Sequence, residues 1–135
     1  MELTNTEVLE YLHDAVVVRL VYEPLREDCR VLLLNVACDS HAGHPDWNGR
    51  NVLIRLHDIY LANHFVFGAV TGDEQINSWT DSVSASMGEM IERLPTAIGR
   101  GIRFSVSFHS GSLLEGVCHR VFVDLEEISR FRSPS

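Results

Sequence analysis

Apolar and polar residues along the chain form short β-branched runs separated by polar breaks, and this pattern predicts a domain built mostly of strands. The predicted strands are residues 15–23, 29–38, 51–61, 64–70, 102–109 and 113–124. A turn that contains Pro24 separates the first two, so these two strands should pair as an antiparallel hairpin. The second strand is apolar on both faces, which favours a central place in the sheet.

Strict alternation marks the fifth predicted strand. Its apolar positions are Ile102, Phe104, Val106 and Phe108, and its polar positions are Arg103, Ser105, Ser107 and His109. A period of two residues is typical of a strand with one buried side and one solvent-facing side. Ser110 and Gly111 begin a short turn, after which the sixth strand should return antiparallel.

Two helices are predicted, one before the first strand and one between the fourth and fifth strands in the sequence. Thr4 and Glu7 have the spacing of a capping box, which favours a short helix over residues 5–13. A longer amphipathic helix is indicated by apolar residues that fall on one helical face, namely Val83, Met87, Met90, Ile91 and Leu94. Ser78 or Thr80 is the expected cap of this second helix.

The order of these elements predicts an α+β fold. We expect a twisted antiparallel β-sheet of about six strands, with a short N-terminal helix and one amphipathic helix packed on it. The 135 residues suit a single globular domain that spans 1–135. The polar tail, residues 129–135, is expected to fray.

Composition and charge narrow the classes of function. The formal net charge is −8 and all eleven basic residues are Arg, so nucleic acid is a poor partner and a basic protein surface is a good one. No apolar run is long enough to span a membrane, and the acidic N-terminus is unlike a signal peptide. The three cysteines are an odd number, which is typical of free thiols in a reducing compartment, so we expect a cytoplasmic protein.

One polar loop concentrates residues that could carry chemistry. The stretch CDSHAGHPDWNG, residues 38–49, places Cys38, His41 and His44 at C-x2-H-x2-H spacing, with Asp46 two positions further on. Thiolate, imidazole and carboxylate are zinc ligands, so this loop is a candidate zinc site. No second ligand pair follows at a standard spacing. The turn-forming composition favours the alternative, a mobile surface loop that joins two strands and is not a packed site.

Trp47 gives the same loop a second potential role. An exposed Trp among polar residues could anchor a protein interface, because Trp is prominent among binding hot spots. Equally, the ring could fold back onto the end of the sheet. The residues predicted to bind a protein partner are Asp39, Asp46, Trp47, Asp73, Glu74 and Trp79.

Catalytic motifs are weak throughout the chain. The Gly patterns of phosphate and dinucleotide sites are missing, and Ser110 lacks the G-x-S-x-G elbow of a nucleophile. His13–Asp14 and His57–Asp58 each place an imidazole next to a carboxylate, as a general base often has. Adjacent residues of a strand, however, point to opposite faces. Catalysis is therefore the less favoured class.

Three segments of the chain resemble a known group of proteins. LHDAVVVRLVYE, NVLIRLHDIY and the closing GVCHRVFVDL look like small bacterial domains that include immunity proteins of polymorphic or contact-dependent toxin systems. In this resemblance the family's His-Asp pair corresponds to His13 and Asp14. No catalytic residues are implied, because immunity proteins act by occlusion. The 38–49 loop is not part of the resemblance.

Two hypotheses of different classes follow. The first is a non-enzymatic acidic binding protein that neutralises a toxin domain and needs no cofactor. The second is a metal-dependent enzyme or a zinc-stabilised domain that uses residues 38–46. The metal content of the purified protein would separate the two.

Overall fold

The structure is a computed structural model, and it describes residues 1–26, 29–38, 45–65, 75–96 and 100–127. Its strands are β1 (Glu2–Leu3), β2 (Val16–Arg26), β3 (Cys29–Ala37), β4 (Arg50–Phe65), β5 (Ile76–Thr80), β6 (Ile102–Phe108) and β7 (Leu113–Glu127). Its helices are the 3₁₀ helices η1 (Glu7–Leu12) and η2 (Pro45–Trp47) and the α-helix α1 (Ala85–Glu92). None of the helices in the described residues is long and apolar enough to cross a membrane.

The strands form one antiparallel sheet in the order β2-β3-β4-β7-β6-β5. The long strands β4 and β7 pair from Arg50↔Glu127 to Phe65↔Leu113 and form the centre of the sheet. The short strand β1 pairs with β7 on the side that β6 also uses, beyond the end of β6. The predicted antiparallel sheet is therefore confirmed, and the fold is mostly β.

The sheet curls until its two outer strands meet. Val16, the first residue of β2, forms a bridge with Gln75, which directly precedes β5. The backbone N–H of Asp14 donates to the carbonyl of Ile76 at 2.8 Å, and the N–H of Ile76 donates to the carbonyl of Ala15 at 2.9 Å. We call these five residues the seam. They join β2 to the start of β5, the two outer strands of the order. The sheet is therefore curled into a half-barrel and is not a flat layer.

The concave side of the curled sheet holds the main core. Buried side chains from the central strands fill it, including Leu34, Val36, Val52, Ile54, Leu56, Phe104 and Val106. Helix η1 packs against this core, because Leu9 and Leu12 are completely buried in it. Their spacing of three residues matches the three residues per turn of a 3₁₀ helix, which places both on one face.

Helix α1 packs on the opposite, convex face of the sheet. Met87 and Ile91 join Val117 of β7 in a second, smaller core, whereas the neighbouring Cys118 belongs to the main core. Successive residues of a strand point to opposite faces, so α1 lies outside the curl. The prediction of an amphipathic helix packed on the sheet is confirmed.

The start of α1 differs from the prediction. Its N-cap is Ser84, whose hydroxyl accepts a hydrogen bond from the N–H of Met87 at 3.3 Å. Ser84 also donates its backbone N–H, at 2.9 Å, and its hydroxyl to the buried carboxylate of Glu115 on β7. Ser78 and Thr80, the predicted caps, lie in β5. Ser84 therefore caps α1 locally and also ties the start of the helix to β7 through Glu115.

The N-terminal helix also differs from the prediction. It is a 3₁₀ helix and not an α-helix, and its N-cap, Thr6, makes no side-chain capping bond. The backbone N–H of Glu7 instead donates to Oδ1 of Asn5 at 2.9 Å. The capping box predicted between Thr4 and Glu7 is therefore not formed.

One long strand, β4, covers the strand predicted over 51–61 and continues through 64 and 65 of the strand predicted over 64–70, whose residues 66–70 lie outside the described residues. The pairing of β4 with β7 is irregular between Ile59 and Leu61. Next to it, Asp58 has a φ of 55°, in the left-handed region that residues with a side chain rarely adopt. This bend changes the face that β4 presents to the core.

Candidate functional site

The 38–49 loop contributes buried side chains to the main core. Cys38 and Trp47 are each 3% exposed, and the N–H of Cys38 donates to the carbonyl of Arg50 at 2.9 Å. Of the two roles considered for Trp47, the structure shows the ring folded back. The expectation of a loop without packed side chains is therefore wrong for its described ends. Asp46, in η2, is exposed.

The other residues predicted to bind a partner or a metal ion are only partly described. Outside the described residues lie Asp39, His41, His44, Asp73 and Glu74. Trp79, in β5, is 2% exposed, and its indole N–H is buried without an acceptor among the described residues. Side chains buried to this degree offer no surface to a protein, so neither Trp79 nor Trp47 is placed to anchor an interface.

The structure instead brings His109 next to the His13–Asp14 pair, from which it is distant in the sequence. His13 and Asp14 lie between η1 and β2, and His109 directly follows β6. Nε2 of His109 lies 2.9 Å from Oδ1 of Asp14, and Nε2 of His13 lies 3.5 Å from Oδ2 of the same carboxylate. One nitrogen or oxygen atom from each residue lies within 4.8 Å of the other two. We call these three residues the seam cluster.

Backbone hydrogen bonds at the seam set the positions of the cluster. The N–H of His109 donates to the carbonyl of Gln75 at 2.9 Å, and the side-chain amide of Gln75 donates to the carbonyl of Asp14 at 3.0 Å. Asp14 has a φ of 67°, in the left-handed region that Asp tolerates better than most residues. The three side chains therefore converge because the ends of β2, β5 and β6 meet at this point.

A further hydrogen bond orients the ring of His13. Its Nδ1 lies 2.5 Å from the backbone carbonyl oxygen of Asn77. A carbonyl oxygen can only accept, so Nδ1 carries the hydrogen, and in the neutral ring the lone pair is on Nε2, the atom nearest Asp14. Histidines that bind metal ions commonly donate their other ring nitrogen to a backbone carbonyl in this way.

Neither Ser107 nor Cys118, two potential nucleophiles among the described residues, is activated by the seam cluster. The hydroxyl of Ser107 hydrogen-bonds with the Asn77 amide at 3.3 Å and with the Ser78 hydroxyl at 2.6 Å. Neither bond involves an imidazole, so the nucleophile–base pair of an acyl-transfer site is not formed there. The thiol of Cys118 is buried in the core, and burial raises its pKa to about 12.

The seam cluster is open to solvent. The side chains of His13, Asp14 and His109 are 60%, 53% and 40% exposed. An ion pair at this exposure adds little to stability, in the range of about 0–1 kcal/mol. Fold stability alone therefore gives little reason for three such groups to meet at one point.

The solvent face of η1 carries a different kind of surface. Glu7, Glu10 and Tyr11 are exposed there, the tyrosine to 48%. The opposite face of the helix is held in the main core by Leu9 and Leu12. The three exposed side chains therefore project from an anchored helix, and we call them the acidic edge.

A cleft lies beside the segment that leads into η1. It has a volume of about 440 Å³ and is lined by Thr4, Asn5, Thr6, Asp81, Arg100, Gly101, Ile102 and Arg103. Two guanidinium groups suit an anionic group, but the carboxylate of Asp81 in the same lining opposes one. The size of the cleft is within the usual range for small-molecule sites, about 300–1,000 Å³.

Comparisons with known proteins identify no relative. No protein family model, no curated protein and no solved structure matches this chain. The sequence shows the His13–Asp14 pair, but nothing in it connects that pair with His109, because the connection depends on the curl of the sheet.

Proposed function

We propose that this chain is a non-enzymatic acidic binding protein that recognises a basic protein surface, and that the partner is a toxin domain it neutralises by occlusion. The acidic edge carries the proposal, because it combines an exposed aromatic ring with two carboxylates on an anchored helix. The resemblance of the chain to immunity-type domains supports the class of partner. The net charge of −8 supports a partner with a positively charged surface.

Tyr11 is the residue best placed to give the interface its buried centre. Tyrosine is enriched among binding hot spots, because its ring covers a large apolar area and its hydroxyl can hydrogen-bond. Tyr11 is 48% exposed, in contrast to Trp47 and Trp79, which are buried. The interface therefore moves from the 38–49 loop and Trp79, which the sequence suggests, to the solvent face of η1.

Glu7 and Glu10 would act mainly on the rate of association. Charges at the rim of an interface steer the approach of an oppositely charged partner. At about 0.1 M salt, their attraction is largely screened beyond about 10 Å. Raising the salt concentration should therefore slow association with a basic partner and change dissociation much less. Occlusion needs no reaction on this chain, only a partner held long enough to lose its own activity.

The product of the gene next to this one is the partner to test first. It should arrest bacterial growth when expressed alone, and co-expression of this chain should restore growth. Purified proteins should form a complex whose association rate falls as salt is added. A neighbour that is harmless, or toxicity that this chain does not relieve, would reject the toxin assignment.

Variants then test the acidic edge itself. Tyr11→Ala should weaken the complex by about tenfold or more, as expected for a hot-spot residue. Glu7→Gln with Glu10→Gln should slow association. The matched control is Glu89→Gln with Glu92→Gln, which removes the same charge from exposed positions of α1. Equal effects of the two pairs, with an unchanged Tyr11→Ala complex, would place the interface elsewhere.

A further inference from the structure

The seam cluster has features that a protein-binding role does not explain. Two imidazoles and one carboxylate converge where the segment before β2 meets the end of β6, and all three are exposed. The donor atoms of His13 and His109 are both turned toward the carboxylate of Asp14. The Nδ1 atom of His13 is already engaged by the carbonyl of Asn77.

We infer that His13, Asp14 and His109 bind one divalent transition-metal ion, with zinc as the ion to test, and that the ion links the segment before β2 to the end of β6. Imidazole nitrogen and carboxylate oxygen are ligands that zinc prefers. The inference does not depend on the proposed function, because it concerns only these three side chains and the seam.

The distances support a site that needs little rearrangement. Zinc lies about 2.0–2.2 Å from nitrogen and oxygen ligands in a tetrahedral arrangement, which sets neighbouring donor atoms about 3.3 Å apart. The two imidazole nitrogens approach different oxygens of Asp14, His109 at 2.9 Å from Oδ1 and His13 at 3.5 Å from Oδ2, and these separations lie on either side of that value. The longest separation in the cluster is at most 4.8 Å, which exposed side chains can shorten by rotation.

The tautomer of His13 matches the needs of a ligand. With its hydrogen on Nδ1 and donated to the Asn77 carbonyl, the neutral ring presents the lone pair of Nε2 to the cluster. Three protein ligands leave a fourth position of the ion to water, as in open zinc sites. The loop site predicted from Cys38, His41 and His44 is less suited, since the Cys38 side chain lies in the core.

Binding of Zn²⁺ to the full chain, measured against a competing chelator dye, is the first test. We expect one ion per chain in the wild type. Asp14→Asn and His109→Ala should each lower the affinity by at least about 100-fold, since even outer-shell changes cost about 10–100-fold. Asn at position 14 tolerates the left-handed backbone, so Asp14→Asn should keep the fold. Unfolding curves without metal would verify this.

Two controls locate the ion. His119→Ala removes an exposed histidine of β7 that lies outside the cluster, and it should leave the affinity unchanged. His44→Ala should also leave it unchanged. Co²⁺ in place of Zn²⁺ should give a spectrum without a thiolate charge-transfer band.

Three results would overturn the inference. The first is the lack of saturable Zn²⁺ binding up to millimolar concentration. The second is an affinity that His109→Ala and Asp14→Asn leave unchanged. The third is a Co²⁺ thiolate band that disappears in His44→Ala, which would place the ion at the loop. A toxin test that fails while the metal test succeeds would reject only the proposed function.

Discussion

His57 lies on the convex face of β4, where it is partly buried and close to two arginines. Its ring meets Phe122 edge-on, with 4.7 Å between ring centroids, and the guanidinium groups of Arg55 and Arg120 lie 5.7 Å and 4.9 Å from the same Phe122 centroid. Burial lowers the pKa of His57 and the charge of Arg55 lowers it further. The folded protein therefore favours the neutral ring.

This environment predicts that acid destabilises the fold through His57. The unfolded histidine has a pKa of about 6.5, above that of the folded one, so the unfolded chain takes up the proton first as pH falls. The free energy of unfolding should therefore decrease between about pH 7 and pH 5. His57→Gln should reduce this dependence, as urea unfolding at several pH values would show. A His57→Gln variant as acid-sensitive as the wild type would contradict the assignment, and His119→Gln is the control.

At the scale of residues, sequence predicts burial better than it predicts partners. Alternation predicts Phe104 inside and His109 outside, and both predictions are confirmed. It does not show that His109 meets Asp14, or that Ser84 meets Glu115, because each contact joins distant parts of the chain. Contacts of this kind depend on how strands pair and curl, which no local pattern contains.

At the scale of elements, β5 shows how polar sequence can conceal a strand. Residues 71–80 look like a loop because they are rich in Asn, Asp, Ser, Thr and Gly. In the structure Ile76 and Trp79 are buried while Asn77 and Ser78 are exposed, and a register shift between Ile76 and Ser78 breaks the period of two. An edge strand tolerates polar residues because one of its edges is unpaired for most of its length.

The packing of Trp47 gives a prediction about η2 and the loop that it ends. Trp47 is 3% exposed in the main core, so truncating it leaves a cavity and removes a large apolar contact. Trp47→Ala should lower the free energy of unfolding by about 3–5 kcal/mol, measured by urea denaturation. Replacing residues 40–48 with a short linker should for the same reason destabilise the fold.

The neighbouring Asp46 provides the matched control. It belongs to the same 3₁₀ turn but is exposed, so Asp46→Ala should lower the free energy of unfolding by no more than about 1 kcal/mol, which is the upper range for an exposed charged interaction. Similar losses for Asp46→Ala and Trp47→Ala would show that the turn, and not the buried ring, stabilises this part of the chain.

At the scale of the whole molecule, the curl of the sheet is the feature that positions both proposed sites. The β2–β3 and β6–β7 hairpins follow from the sequence, since short turns join their strands, but the central pairing of β4 with β7 does not, because these strands are far apart in the chain. Closure does not follow, because it depends on twist accumulated over six strands and on a left-handed Asp14. The amphipathic pattern of the strands is the same for a flat sheet and for a curled one.

Because only a few hydrogen bonds hold the described part of the seam together, we expect the seam to open before the rest of the sheet unfolds. The amides of Asp14 and Ile76 donate across the seam, next to exposed side chains, whereas amides such as Leu53 and Ile54 lie in β4 between two paired strands. Native-state hydrogen exchange should therefore show seam amides exchanging through local opening, with a smaller free energy than amides of β4. The opening free energies of the seam amides should also change little when a low concentration of urea is added, because opening there exposes little buried surface. Equal free energies at Ile76 and Ile54 would instead mean that the half-barrel closes and unfolds as one cooperative unit.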